Sequence, residues 1–510
     1  MLSMRARSMG LIVVLALGCG DDVTSAGDDG SSSGSSTDTP TSGTLGPSSS
    51  GTSTGGPTSQ TGTTQGDDSS GSGFEPPEPA CGNGFVEEGE ECDDANDDDE
   101  DGCTATCALR CGLEWTTVVL PPTDTSVIDA RDVATNARGG AAVGGFLREI
   151  TTDQRGNETI LDDEGIVLRV SPDGETLWNT PIAVDGFDTD VTGVAMDGAG
   201  NVYASATVDS VETDGNIRLY KLDPRGAVEW FAEFDSAIDT AEDLSFDVAI
   251  GGDGNPVITG QVRAGDGDND VWVASYDART GDEIWSSTWS GESSGGFSTD
   301  TAGPMSIGTD GTVFLHVGEY VDFQTRLPTL LSFDGAGGEA TEVYSPSVGI
   351  GGADFVPLDV SFEPGGTVLL TSIRVLPVEN TYQIERVNTA SGEMTWSVDG
   401  AFFEDASPVR GSTAFAFLGA QPLEGGGVVV SGQLERTGMD AEWVETWVGR
   451  LDENGAIDCV FVRESPQLSL IPGSLFGRTM SAVGSGRAVV AGQEFSDGAQ
   501  SLWVGAFRPD

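Results

Sequence analysis

Residues 270–276, Asp-Val-Trp-Val-Ala-Ser-Tyr, alternate: Val271, Val273 and Ser275 fall on one side, Trp272, Ala274 and Tyr276 on the other. A period of two predicts a β-strand with two distinct faces. Asp277 can accept backbone N–H bonds as the chain turns, and Gly281 can take a positive φ, so a second strand is expected from Trp285. The same hairpin recurs at 170–178, 222–230, 387–396 and 451–459. In each a glycine stands four residues before an aromatic slot (Gly174, Gly226, Gly281, Gly392, Gly455), and in the last of them the slot holds Cys459. Ahead of each hairpin comes a turn glycine, a β-branched run and small residues, marked by Gly140, Gly200, Gly254, Gly311, Gly366, Gly427 and Gly486. These glycines lie 54 to 61 residues apart. The hairpin after Asp334 lacks a Trp, which makes the fourth repeat the weakest.

No amphipathic helix pattern interrupts the repeats. Seven copies of a four-strand unit predict an all-β fold, a seven-bladed β-propeller, with six or eight blades as the neighbouring counts. Each small twisted sheet has two apolar faces and buries them only against its neighbours. The recurrent Trp is expected to fill the gap between blades. The last repeat ends after its third strand, at 501–510, and a matching Gly-x-x-Trp strand stands at the front, 112–120. That first strand is expected to complete the seventh blade and remove the open sheet edge.

Two resemblances follow from these residues. Asp-x-x-Gly-Asn-Val-Tyr203 followed by Lys221-Leu-Asp-Pro-x-Gly226 resembles the seven-bladed SBBP-type repeat. Tyr276 to Trp285 resembles the repeat of quinoprotein dehydrogenases and outer-membrane assembly lipoproteins. Both sets of motifs are structural and imply a fold rather than an activity.

The N-terminal part reads differently. Arg5 and Arg7, an apolar run from Leu11 to Leu17, then Gly18-Cys19 form a secretory signal. The run is too short to span a bilayer. It resembles a bacterial lipoprotein processing site, which implies lipidation of Cys19; Ala16 stands where that motif prefers Leu. Residues 20–80 are Ser/Thr/Gly-rich and should stay disordered, a tether of roughly 40 Å root-mean-square. Residues 81–111 carry Cys81, Cys92, Cys103, Cys107 and Cys111. Export favours disulfides over thiolate zinc. The text from Cys81 to Cys107 resembles the Cys-rich repeat of myxobacterial surface proteins, departing at Ala95, and implies a small disulfide-stapled module without catalytic activity. Cys111 is left over in that module, so it either bridges to Cys459, or Cys459 is a buried free thiol in a Trp slot. The expected domains are therefore 1–19, 20–80, 81–111 and 112–510.

Charge narrows the partners. Asp and Glu outnumber Lys and Arg by 83 to 23, a formal charge of −60, with one lysine (Lys221) and one histidine (His316). Nucleic acid and anionic lipid head groups are excluded as partners, since both demand clustered cations. The acidity either keeps the surface soluble or serves cations. Asp93, Asp94 and Asn96, and separately Asp266, Asp268 and Asp270, offer oxygen ligands of the kind Ca²⁺ takes; each set reads equally as a solvated acidic loop. No other cofactor is expected. Gly291-Glu-Ser-Ser-Gly295 matches G-x-S-x-G, but its Ser/Gly-rich surroundings lack the strand–turn–helix elbow, and His316 is the sole histidine available as base.

The reading that results is a non-enzymatic, monomeric, lipid-anchored propeller of the cell envelope, at the outer membrane or cell surface. It is expected to bind an envelope protein or extracellular polymer through 147–164, 233–245 and 435–442. Two alternatives stand beside it: a quinoprotein-like or other propeller enzyme, and a scaffold for envelope-protein assembly.

Overall fold

A computed structural model describes residues 112–508 apart from 124, 153–157, 210–214, 237–242, 266–267, 292–299, 323–324, 347–353, 376–380, 401–411, 424–425, 438–441, 464–476, 483–486 and 497–498. Every described element is a strand, 28 in all. The first, β1 (Gly112–Val119), stands apart in the order. The first antiparallel group of four is β2 (Ser126–Thr135), β3 (Ala141–Thr152), β4 (Glu158–Val170) and β5 (Thr176–Ile182). The second is β6 (Asp188–Met196), β7 (Val202–Asp209), β8 (Asn216–Leu222) and β9 (Val228–Phe234). The third is β10 (Leu244–Ile250), β11 (Pro256–Gly265), β12 (Asp268–Tyr276) and β13 (Glu283–Trp289). The fourth is β14 (Met305–Ile307), β15 (Val313–Asp322), β16 (Thr325–Phe333) and β17 (Thr341–Tyr344). The fifth is β18 (Asp354–Glu363), β19 (Thr367–Val375), β20 (Thr381–Asn388) and β21 (Met394–Asp399). The sixth is β22 (Ser412–Pro422), β23 (Val428–Thr437), β24 (Glu442–Leu451) and β25 (Ile457–Arg463). The last comprises β26 (Gly477–Ala482), β27 (Ala488–Ser496) and β28 (Ala499–Arg508), and β1 completes it by pairing antiparallel with β28, Gly112 opposite Arg508 and Val119 opposite Leu502.

The alternation read from the sequence decides where each side chain goes. Val271 and Val273 enter one hydrophobic cluster with the fourth group, while Trp272, Ala274 and Tyr276 enter another with the second. Every boundary between consecutive groups holds such a cluster, and the boundary from the last group back to the first is filled by Val489, Ala491, Leu502 and Val504 against Ile128, Val143, Ile166 and Leu168. The first strands follow each other in a closed circuit, β2, β6, β10, β14, β18, β22, β26 and again β2. A group alone would expose two apolar faces, each side chain costing about 1.5–3 kcal/mol; the circuit leaves none uncovered.

The ten tryptophans all fall in outer or third strands. Trp272, Trp447 and Trp503, in third strands, are fully buried fillers. Those of the outer strands do something more specific than filling. Four of them reach the third-to-fourth turn of the next group, where the indole N–H donates to the carbonyl that follows the first turn residue: Trp115 to Pro172 (2.8 Å), Trp178 to Pro224 (3.1 Å), Trp230 to Ala278 (3.4 Å), Trp285 to Gly335 (3.2 Å). The ring lies flat on the turn glycine, and a Cβ at Gly174, Gly226, Gly281 or Gly337 would meet the indole at 2.7–2.9 Å. Those glycines also sit at positive φ (Gly226 at +85°), so the turn and the clasp demand the same residue. In the sixth group Arg386 takes the equivalent carbonyl, Glu453 (3.0 Å), and its guanidinium lies over Trp396. In the weak fourth repeat Val343 holds the slot, as its missing Trp implied.

Antiparallel meanders sort their connections to two ends. First-to-second and third-to-fourth turns share one end and span three to seven residues. The other end carries every second-to-third connection and every crossover, up to the fifteen residues of 290–304. The described parts of the segments 147–164 and 435–442, expected as loops, are paired strand: Leu147 faces Glu164, Arg148 faces Asp163, and Glu435 faces Val444. They are long hairpins, because alternating residues there keep forming ladder hydrogen bonds beyond the core.

Candidate functional site

Carboxylates on the first strands form the most organised polar array. Six of the seven first strands carry a β-bulge at the corresponding place, between Ala130 and Asp132, Val191 and Gly193, Ser245 and Asp247, Pro357 and Asp359, Phe417 and Gly419, and Gly477 and Thr479. A bulge leaves backbone N–H groups off the ladder and re-aims the next side chain. In groups one, three and five that next residue is Asp. Asp132 accepts from Val133 N and from Val194 N of the next group, both at 2.7 Å. Asp247 accepts from Val248 N (2.7 Å) and Met305 N (2.8 Å). Asp359 accepts from Ala420 N (3.0 Å) and the Gln421 amide (3.3 Å). Each carboxylate therefore ties its own strand to the following one. Between the second and third groups backbones close directly, since a Cβ on Gly193 would lie 2.8 Å from Asp247 Cα, and between the fourth and fifth Ser306 Oγ accepts from Phe362 N (3.0 Å).

The three carboxylates are half-buried around the centre of the circuit. Burial pushes Asp359 up to about 7 despite its hydrogen bonds, with the charge of Asp132 adding to the effect. Asp247 is raised well above the usual carboxylate range by burial and by the charge of Asp132. Chemically the array can anchor backbone, and Asp359 can hold a proton near neutrality. Among the described residues no group of three His, Cys, Asp or Glu is placed to hold a metal ion. A second tier serves the loop-rich end: Asp243 accepts from Ser236 N and Arg263 N, Asp300 from Gly291 N and Tyr320 N.

Sequence reasoning passed over these aspartates because carboxylates are abundant. A signal existed: Asp132-Val-Ala, Asp247-Val-Ala and Asp359-Val-Ser recur in every second repeat.

Of the residues singled out from sequence, Cys19, Cys81, Cys92, Cys103, Cys107, Cys111, Asp93, Asp94, Asn96, Asp266 and Ser293 lie outside the described residues. Asp268 opens β12 and Asp270 stands within it, opposite Val262, so the expected acidic loop is already strand by its second Asp. Cys459 is buried in β25 and disulfide-bonded, so the free-thiol alternative is removed. His316 is fully buried in β15, its Nδ1 3.1 Å from the Asp359 carbonyl, and burial lowers it to about 4. It sits out of reach of any solvent-borne substrate.

The loop-rich end offers a second feature. Phe146 lies between two guanidiniums, Arg131 at 4.8 Å and Arg148 at 4.6 Å from its ring centre. Arg131 pairs with Asp190 (3.0 Å) and Arg148 with Asp163 (2.7 Å), bracing the β3–β4 hairpin. Beyond this brace the hairpin exposes Ile160 (39 %) and Leu161 (61 %), and the connections on either side of the first group expose Leu120 and Phe187.

Residues 75–108 match the model of DUF4215, a domain of unknown function. No curated protein matches the chain. Solved structures that resemble it include a protein of unknown function from Dyadobacter fermentans (10 % identity, TM-score 0.45, covering 78 % of this chain and 99 % of that one). A quinohemoprotein alcohol dehydrogenase from Comamonas testosteroni matches at 11 % identity and TM-score 0.39, covering 78 % and 76 %. An α-L-arabinanase from Penicillium chrysogenum, complexed with arabinobiose, matches at 10 % and 0.38, covering 61 % and 91 %. At these values none lends this chain a function.

Proposed function

We propose that the chain is a seven-bladed β-propeller that binds a partner, an envelope protein or extracellular polymer, through its loop-rich end. The exposed Ile160 and Leu161 on the braced β3–β4 hairpin carry this reading. Two aliphatic side chains held out by a rigid, ion-paired base form a surface that association would cover. Acidic neighbours (Asp162, Asp163, Glu164) favour a neutral or basic partner. Each first-strand carboxylate already serves as acceptor for backbone N–H groups, which supports binding over catalysis at the centre. The signal and Cys19 tether the propeller to the envelope by a lipid. Among the described residues no helix is long and apolar enough to cross a membrane.

The test is capture from envelope extract on immobilised full-length protein. Leu161→Asp should abolish capture that wild type shows, while Ile284→Asp, an exposed aliphatic site on an outer strand, should leave it intact. Equal capture by both variants would remove the hairpin from the binding surface.

A further inference from the structure

The outer-strand clasp recurs at fixed register. In most groups the third residue of the outer strand (in β1 the fourth, Trp115) lies at the turn glycine of the next group, and that glycine stands four residues before the next group's own slot in most repeats: Gly174 before Trp178, Gly226 before Trp230, Gly281 before Trp285, Gly455 before Cys459. One boundary puts a cysteine in the slot. In the sixth group the slot holds Cys459, the third residue of β25, buried and disulfide-bonded. The turn it would clasp is interrupted, because the seventh group takes its third strand from the C-terminus (β28) and its fourth from the front of the propeller (β1). Four residues before Trp115, in the glycine position of that interrupted turn, stands Cys111.

We propose that Cys459 is bonded to Cys111, and that this disulfide replaces the Trp–Gly clasp at the one boundary where the turn is cut. Packing agrees: Leu113, two residues after Cys111, joins the same cluster as Phe461, two residues after Cys459. Within the last group Glu114 of β1 also receives Arg487 (2.5 Å) and Arg508 (2.7 Å), which fixes β1 on its neighbours. The bond forms by loss of one proton from each thiol and of two electrons from the pair, passed to a disulfide oxidant (protein or small-molecule) by thiol–disulfide exchange. It fixes the start of β1 beside β25 of the sixth group while β1 pairs with β28 of the seventh, and so makes closure of the ring covalent. It also fixes the count: with Cys19 lipidated, Cys81, Cys92, Cys103 and Cys107 are left to pair among themselves in three ways rather than the fifteen open to six cysteines.

The deciding experiment is tryptic mapping of the full-length, non-reduced protein by mass spectrometry. Cleavage after Arg110 separates Cys111 from Cys107, giving peptide 111–131, and cleavage after Arg450 gives 451–463. The expected product is 111–131 linked to 451–463, lost on reduction. Cys459 linked to Cys81, Cys92, Cys103 or Cys107, or found as a thiol, would overturn the assignment. A second measurement tests the role. Cys459→Ser, Cys111→Ser and the double variant should lower the unfolding midpoint alike, by roughly 5 °C, with no addition in the double. Cys111→Gly with Cys459→Trp, which writes the usual clasp into this boundary, should recover part of the loss and be insensitive to reductant. Additive losses in the two single variants would overturn the shared bond.

Discussion

Neighbouring blades are joined twice, near the axis and at the rim, by devices that differ in kind. Near the axis the first strands run so close that only backbone and a short carboxylate fit, and Asp132, Asp247 and Asp359 bridge every second boundary. At the rim the blades diverge, and an indole spans the space to the next turn. The axial device uses half-buried carboxylates to satisfy N–H groups that bulges leave unpaired. The rim device uses area and one neutral hydrogen bond. A charged acceptor in a confined place is costly to install and costlier to remove, whereas a half-exposed ring can be trimmed.

The largest effect should therefore come from the axis. Asp359→Ala leaves the Ala420 N–H and the Gln421 amide without their acceptor, and urea unfolding should show a loss of about 3 kcal/mol.

A pH series sharpens the comparison, because the axis titrates and the rim does not. Folded Asp359 holds its proton up to about pH 7, whereas the unfolded chain does so only near 3.8. This group thus adds stability as pH falls from 7 towards 4. His316, against the Asp359 carbonyl, works the other way. The unfolded chain protonates it from about 6.5 and the folded protein only near 4, so stability is lost as pH falls through the same window. His316→Gln should raise stability at pH 5 relative to pH 7.5 by about 2 kcal/mol over wild type. Asp359→Asn should remove the opposing gain. Parallel urea curves for the three proteins at both pH values would contradict this pairing.

The smallest effect separates two rim positions. Trp178→Phe loses the bond to Pro224 and should cost about 1 kcal/mol. Trp396→Phe should cost nothing or stabilise slightly, since its buried indole N–H has no partner and Arg386 already takes the turn carbonyl. Equal costs in thermal unfolding would show that ring packing alone holds the rim.

The rim was legible in the sequence and the axis was not, for a physical reason. A Trp with a glycine four residues before it repeats at regular spacing, and bulk with positive φ leaves few alternatives at those positions. An Asp among 83 acidic residues carries no such mark. What gives Asp359 its role is a bulge beside it and the neighbouring strand's unpaired N–H groups, which no local pattern encodes. The same holds for His316: the sequence offers it as a possible base, and burial withdraws it. The segments 147–164 and 435–442 misled in the opposite sense, since their polar residues read as loop while ladder pairing keeps them extended.

The sequence by itself determined strand period, turn positions, the repeat and the completion of the last group by the first strand, because these depend on contacts within one hairpin or on a pattern copied along the chain. The tertiary structure alone decided which carboxylates became staples and which apolar residues stayed outside. Those depend on the distance between strands of different blades, which is set only when the ring closes.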